Sequence, residues 1–403
     1  MGLPHPHSGL MPSNSNSNMT PHPSHAVFLG EILSQPECLK TLLNRPNSDF
    51  VWFKTPIKTL IALAEGSSFN ALTMAKPFIE SALNITLNIY SSGTWEVYSS
   101  CNPDALNAPD TKFLLLSQSG NTGCLIDAWH AASQTTPNLK EKTVLITNAP
   151  NGQLQSRAQH VFNINVGKEE SIPATKTVTG SLLSLLLWST YQGLENNPNN
   201  QALQTTLQAL QSLPPKIQAW LDDTQNTLET LCQQLSSTDE FVILTQGIMT
   251  LALPEIQLKL IEILGNQVHI DDMEGFKHGH KVLLERMNTH PMAAIYMTPP
   301  SDKATDFYTD LEQHFLSREK TLWVDTPKII LLQAKNTTPM PLALQAALKA
   351  IVIPTPALDH SINDLFFILA TFQLLGYGLA KTRGISLNST ALSKFVPDSK
   401  TAQ

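Results

Sequence analysis

The feature that most restricts how this chain can fold is a repeated local grammar. An apolar run of strand length ends in small or polar residues, and a helical pattern follows. "TLIALAEGSS", "KFLLLSQSG", "KTVLITN" and "VFNINV" carry it through the first half, and "EFVILTQG", "QVHIDDM", "MAAIYMTP", "KTLWVDT", "KIILLQA" and "AIVIP" carry it through the second. Near-continuous apolar runs, without the alternation of a half-solvated sheet, are what strands covered on both faces look like. Strands alternating with helices mean βαβ units, so the expected fold class is α/β, with doubly wound, mainly parallel central sheets flanked by helices. The order of elements occurs twice, an internal repeat at domain scale.

The 403 residues exceed the size at which one core usually stops growing, which agrees with two halves. Residues 1–26, rich in Pro, His, Ser and Asn, read as a disordered tail and carry no basic segment followed by an apolar core, so they do not read as a secretory signal. "AVFLGEILSQPECLKTLLNR" gives two short leading helices expected to cover a domain edge, opening a first half over 27–195. Asn, Gln, Leu and Pro dominate 196–238, a helical connector, and a second half follows over 239–385 before a C-terminal tail, 386–403. "INDLFFILATFQLLGYGLAK" is the most apolar late segment, yet Asn363, Asp364, Thr371 and Gln373 interrupt it. It reads as a buried helix and not a membrane span.

A net charge of -7 argues against a nucleic-acid footprint. Cys38, Cys101, Cys124 and Cys232 are far apart and form no CxxC pair, which gives neither a zinc site nor a disulfide framework and suits a reducing cytoplasm.

The chemistry concentrates in "FLLLSQSGNT". Ligands of open parallel sheets bind beyond the carboxyl ends of strands, where a loop and a helix start present backbone N–H groups. A phosphate dianion needs several donors at once. The hydroxyls of Ser117, Ser119 and Thr122, the Gln118 amide and backbone N–H groups around Gly120 can supply them. Read alone, the same residues fit a helix cap equally well.

Six motifs in order, "EGSSFNA", "LSQSGNT", "ESIPATKT", "QLKLIE", "FKHG" and "ALSKFVP", resemble those of the sugar isomerase (SIS) family with two tandem SIS domains. The similarity runs from Phe28 to Pro397 and is to the isomerase half of glucosamine-6-phosphate synthase, the glucosamine-6-phosphate deaminases and the ketose/aldose phosphosugar isomerases. It implies phosphate binding by Ser117, Gln118, Ser119 and Thr122, with Ser68 also on the sugar phosphate and Ala174 and Thr175 walling the sugar. It also implies Glu262 as the C1–C2 proton shuttle, with Lys259 one turn before it, and His278 as the ring-opening group reaching into a neighbouring subunit's site. Lys394 becomes the residue of a C-terminal tail that closes over the sugar. A homodimer with shared active sites follows, with a phosphorylated amino or neutral sugar as ligand, and no cofactor, metal, nucleic acid or membrane.

These roles agree with elementary chemistry. Moving a proton between adjacent sugar carbons needs one well-placed base, and opening a cyclic sugar needs a group that titrates near neutrality. Blander readings stand beside them. Glu262 on an amphipathic helix could be a solvated residue, Thr175 and Lys176 could be a helix start only, and His269, Asp271, Asp272, Glu274, His278 and His280 could form a divalent-metal site or an exposed acidic loop. The chain departs from the family's pattern in reading His278-Gly279-His280 where relatives commonly have His-Gly-Pro, in placing Pro173 and Ala174 where a serine often occurs, and in having "LTQGIMT" in its second half instead of a phosphate loop. One phosphate site per chain is expected. The resemblance points to a deaminating isomerase converting glucosamine 6-phosphate and water to fructose 6-phosphate and ammonia. A pure aldose–ketose isomerase on another hexose phosphate and a non-catalytic phosphosugar sensor are the alternatives.

Overall fold

The computed structural model describes residues 23–55, 57–279, 282–283, 291–298, 304–316, 328–359 and 361–387. Lys394, His280, the first 22 residues and the expected strand "KTLWVDT" lie outside the described residues.

Two five-stranded parallel sheets form the frame. The first orders β2 (Thr86–Tyr90), β1 (Thr59–Ala64), β3 (Thr111–Leu116), β4 (Thr143–Thr147) and β5 (His160–Asn163) side by side. The second runs β7 (Gln267–Asp272), β6 (Glu240–Thr245), β8 (Met292–Met297), β9 (Lys328–Ala334) and β10 (Ile351–Thr355). The strand order is the same in both. β3, β4, β6 and β8 are buried along their whole length, as the apolar runs at their centres require of strands covered on both faces. In each sheet the winding reverses between the first strand and the third, which opens a crevice beyond their carboxyl ends. The crevice of the first sheet lies between β1 and β3.

The repeat is visible in backbone detail. After β1 the chain turns through Gly66 at φ 54°, and after β6 it turns through Gly247 at φ 67°. The residue before each glycine, Glu65 or Gln246, is extended. Only glycine holds such positive φ without strain.

The connector forms helices Gln201–Gln211 and Leu213–Gln234. The second of these packs along the last helix, Asn363–Arg383, with Trp220 stacked on Phe367 at 4.5 Å between ring centroids and its indole N–H donating to the Thr371 hydroxyl at 2.9 Å. Length and composition alone would let Asn363–Arg383 cross a membrane despite its polar residues; its burial among other helices makes it a core element. One apolar cluster runs through both halves, from Leu60 and Leu114 of the first sheet by Trp188 and Trp220 to Phe241 and Ile295 of the second. The leading helices, Pro23–Leu33 and Gln35–Leu43, reach both halves as well, the former against Asn363–Arg383 and the latter against Lys176–Asn196 and Leu213–Gln234.

Candidate active site

At the carboxyl end of β3 the loop from Ser117 to Thr122 is built by its own side chains. The Ser117 hydroxyl, buried, pairs with the Thr122 hydroxyl at 2.8 Å and accepts the Gly120 amide at 3.1 Å. Ser119 accepts the Asn121 amide at 3.2 Å, and Asn121 in turn accepts the Gln153 amide at 2.9 Å. Gly120 stands at φ 63°, and a Cβ on Gly152 would lie 2.6 Å from the Gly120 Cα, so two backbones meet where neither residue can carry a side chain. Thr122 occupies the N-cap position of helix Gly123–Thr135 without capping it. The first amides of that helix are therefore left for a ligand, with the helix dipole behind them.

Gln118 turns differently from the sequence expectation. Its amide nitrogen donates to the Ser181 hydroxyl at 3.0 Å, and its Oε1 is buried with no hydrogen-bond partner. Exchanging the two ends of the amide would let Ser181 donate to Oε1 and would turn the NH2 to the orphaned side, the orientation an anion needs.

Across the crevice, helix Gly66–Leu83 starts at the end of β1 with Ser68 buried in its first turn. One turn on, Asn70 reaches the second half and donates to Glu255 Oε2 at 2.8 Å. Glu255 opens helix Leu253–Leu264, whose apolar stripe of Ile256, Leu260 and Ile263 packs inward against Asn363–Arg383 and carries Lys259 down with it. Lys259 Nζ lies 3.7 Å from Glu255 Oε1 and is hydrogen-bonded to Glu262 Oε2. The Glu255 and Lys259 side chains are 0% and 4% exposed, while Glu262 keeps 30%. The carboxylate that could meet a substrate is thus the one that solvent reaches.

The charges are tuned by this packing. Burial pushes the Glu255 carboxyl up, against the downward pull of Lys259 and the hydrogen bonds of Asn70 and Ser67. Burial alone would lower the Lys259 ammonium, but Glu255 and then Glu262 more than offset it and hold it above its ordinary value. Lys259 is therefore a fixed cation between two carboxylates.

A third wall is the segment before helix Lys176–Asn196. The Glu169 carboxylate accepts the Thr175 amide at 2.8 Å, the Thr175 hydroxyl at 2.7 Å and the Thr177 hydroxyl. Burial raises the Glu169 carboxyl, and the hydrogen bonds from Thr177 and Thr175 pull it partly back. Thr175 is fully buried, and Ala174 beside it is partly exposed.

Ser68, Ser117, Ser119, Thr122, Lys259 and Glu262 are thus drawn to neighbouring elements around one crevice. His278 is not. It ends the short helix Met273–His278, is exposed, and among the described residues makes no hydrogen bond or ion pair with the others. No group of His, Cys, Asp and Glu among the described residues has the geometry to hold a metal. Glu255, Asn70 and Glu169 were not singled out from the sequence; the spacing of Glu255, Lys259 and Glu262 along one helix face was the available signal for the first. In the second half the strand equivalent to β3 is β8, and the residues that follow it, 299–303, lie outside the described residues. At the described end of β8 the Thr298 hydroxyl donates to Leu332 O at 3.3 Å and accepts the Ala334 amide at 3.0 Å, closing the strand end on its neighbour.

No protein-family model matches the chain. It is 26% identical over 337 residues to a glutamine–fructose-6-phosphate aminotransferase (isomerizing) of Gloeobacter violaceus, covering 82% of this chain and 50% of that protein. The chain spans about half the length of the curated relatives it matches. Among solved structures, the C-terminal domain of the glucosamine-fructose-6-phosphate aminotransferase from Francisella tularensis superposes with a TM-score of 0.68 at 20% identity, over 92% of this chain and 98% of that one. A glucosamine-6-phosphate deaminase from Thermotoga maritima does so at 0.63 and 19%, over 90% and 96%. In tandem architecture, and in sequence across most of its length, this chain is similar to tandem SIS-domain, or sugar isomerase, proteins.

Proposed function

We propose that the chain is a phosphosugar isomerase of the deaminating kind, taking glucosamine 6-phosphate and water to fructose 6-phosphate and ammonia. The observation that carries this reading is the solvent-reached Glu262 carboxylate held by the buried Glu255–Lys259 pair, across a crevice from a loop and helix start suited to a phosphate. With the phosphate held by Ser117, Ser119, Thr122 and Ser68, the open-chain sugar extends toward Glu262. Glu262 takes the proton from C2, the C1 aldehyde oxygen collects the electron pair and a proton from solvent, and an enolamine forms. Return of the first proton to C1 gives the protonated C2 imine, water adds to C2 with loss of a proton to solvent, and ammonia leaves to give the ketone. Lys259 stays protonated throughout and fixes the carboxylate while charge moves on the sugar. His278, exposed and apart from this crevice, is taken to open the ring in the site of a second copy, with Lys394 covering the sugar.

The test is to incubate the full chain with glucosamine 6-phosphate in D2O, following ammonia, fructose 6-phosphate and deuterium at C1. Ammonia and ketose in equal amounts support the proposal. Ketose formed only from neutral aldose phosphates, without ammonia, would make the chain a plain isomerase, and tight binding of sugar phosphates with no exchange of the C2 proton would make it a sensor.

A further inference from the structure

The duplication extends to the strand ends opposite the crevice, and there the two halves differ. Each sheet starts in the same way. The amides of Lys58 and Thr59 donate to Asp110 O at the start of β1, and those of Asp239 and Glu240 donate to Pro291 O at the start of β6. The helix after that first strand ends in each half on a left-handed residue, Asn84 at φ 52° and Gly265 at φ 67°. The last helix of each half, Lys176–Asn196 and Asn363–Arg383, is 21 residues long. Between these two helix ends and the strand starts each half holds a cavity, of about 630 Å³ in the first and about 470 Å³ in the second.

In the second half the chain supplies its own occupant. Arg383, the last residue of its helix, lines that cavity, and its guanidinium donates to Asn266 Oδ1 at 2.8 Å, to Leu235 O at 3.1 Å and to Thr238 O at 2.5 Å. Carbonyl oxygens at a helix C-terminus carry partial negative charge, so a cation set against them is favourable. The first cavity has the same two helix ends, but the residue that closes its long helix is Asn196, which brings no charge. Its walls are apolar, from Phe53, Ile57, Leu83 and Ile85, and the exposed Glu195 carboxylate joins them. The larger cavity is thus the one without the built-in guanidinium.

We propose that the first cavity binds a small guanidinium compound with an apolar stem, whose charged end takes the place that Arg383 fills in the second half. The volume lies within the roughly 300–1,000 Å³ usual for small-molecule sites. A planar guanidinium can meet carbonyl oxygens of both helix ends and a carboxylate at once, which a compact ammonium does less well, and the apolar walls call for a stem. This site lies at the amino ends of the strands, away from the crevice, and it stands whether or not the crevice turns over a sugar phosphate.

The test is titration calorimetry of the full chain with butylguanidinium, using butylurea as the neutral compound of the same shape. Butylguanidinium should bind with a Kd of about 1 mM, as suits so small a ligand, and butylurea about tenfold more weakly or not at all. Asn196→Arg gives the first half what the second already has, and it should abolish binding while raising the melting temperature. Glu195→Gln should weaken binding about threefold, the modest effect of an exposed charge, and it decides the matter if Asn196→Arg does not fold. Butylguanidinium that binds no better than butylurea overturns the inference, as does binding that survives in folded Asn196→Arg or is untouched in Glu195→Gln. Lys54 also lines the cavity and is exposed. Binding that appears only in Lys54→Met would mean that its ammonium already fills the place, and would overturn the inference too.

Discussion

Replacing Lys259 by methionine keeps length and stem packing but leaves Glu255, at 0% side-chain exposure, facing a missing cation. Removing one partner of a buried pair costs about 3–5 kcal/mol because the other charge stays behind. The lower end applies here, since Asn70 still donates to Oε2. At about 2 °C per kcal/mol for domains of this size, melting should fall by roughly 6 °C near neutral pH. The loss should depend on pH with a definite sign. A carboxyl raised above its ordinary 4.5 binds more protons folded than unfolded, so its contribution is fully favourable below that value and is lost as pH rises through the folded value. Lys259 opposes that rise in the wild type, so its removal enlarges it. Lys259→Met should therefore cost clearly more stability at pH 8 than at pH 5, and adding Glu255→Gln should recover much of the loss, because no buried charge then lacks a partner. Calorimetry of wild type, both single variants and the double variant at the two pH values measures this. Equal losses at pH 5 and pH 8, or additive single and double variants, would refute the view that Glu255 and Lys259 are a buried ion pair.

Glu262→Gln keeps shape but removes the base, so turnover should drop about 10²–10⁴-fold while calorimetric binding of sugar phosphate survives; wild-type C2-proton exchange would remove Glu262 from the mechanism. Ser119→Ala with Thr122→Ala should raise KM for phosphorylated sugars far more than it shifts melting, and unchanged kinetics would dissolve the phosphate loop as a site. Gly152→Ala should weaken inorganic phosphate binding and cost about 1–3 kcal/mol, since its Cβ meets the Gly120 backbone at 2.6 Å, and a variant with wild-type affinity would show that the loop's close approach is dispensable. Mixing Glu262→Gln and His278→Asn subunits should restore part of the activity if His278 serves a second copy's site; a mixture that stays inactive after verified subunit exchange argues for a site within one chain.

Much of the frame was legible because both signals were local. "FLLL" is apolar at every position because β3 is covered on both faces, and "SQSG" follows because the crevice falls where that strand stops. The duplication was legible in the order of elements, although Gly66 and Gly247 are among the few matched residues that reveal it. What escaped the sequence was whatever depends on the two halves meeting. Asn70 and Glu255 are 185 positions apart, and nothing near either announces the other. Gln118 reads as a ligand donor, and nothing near it in the sequence announces that Ser181 stands beside its amide, 63 positions downstream. Nothing in the sequence near Glu31 announces the backbone it holds, 139 positions downstream.

The helix Leu213–Gln234 looks in sequence like a tether, but Trp220 lies flat on Phe367 and the core runs unbroken past it from one sheet to the other. Swinging the halves apart would break the Asn70–Glu255 hydrogen bond and open the apolar cluster that spans both sheets, so the crevice is a rigid notch and not a jaw. A sugar phosphate has to be admitted by short segments at the rim moving over a fixed floor. Such a protein would melt as one cooperative body and would resist being cut into two working halves at residue 212.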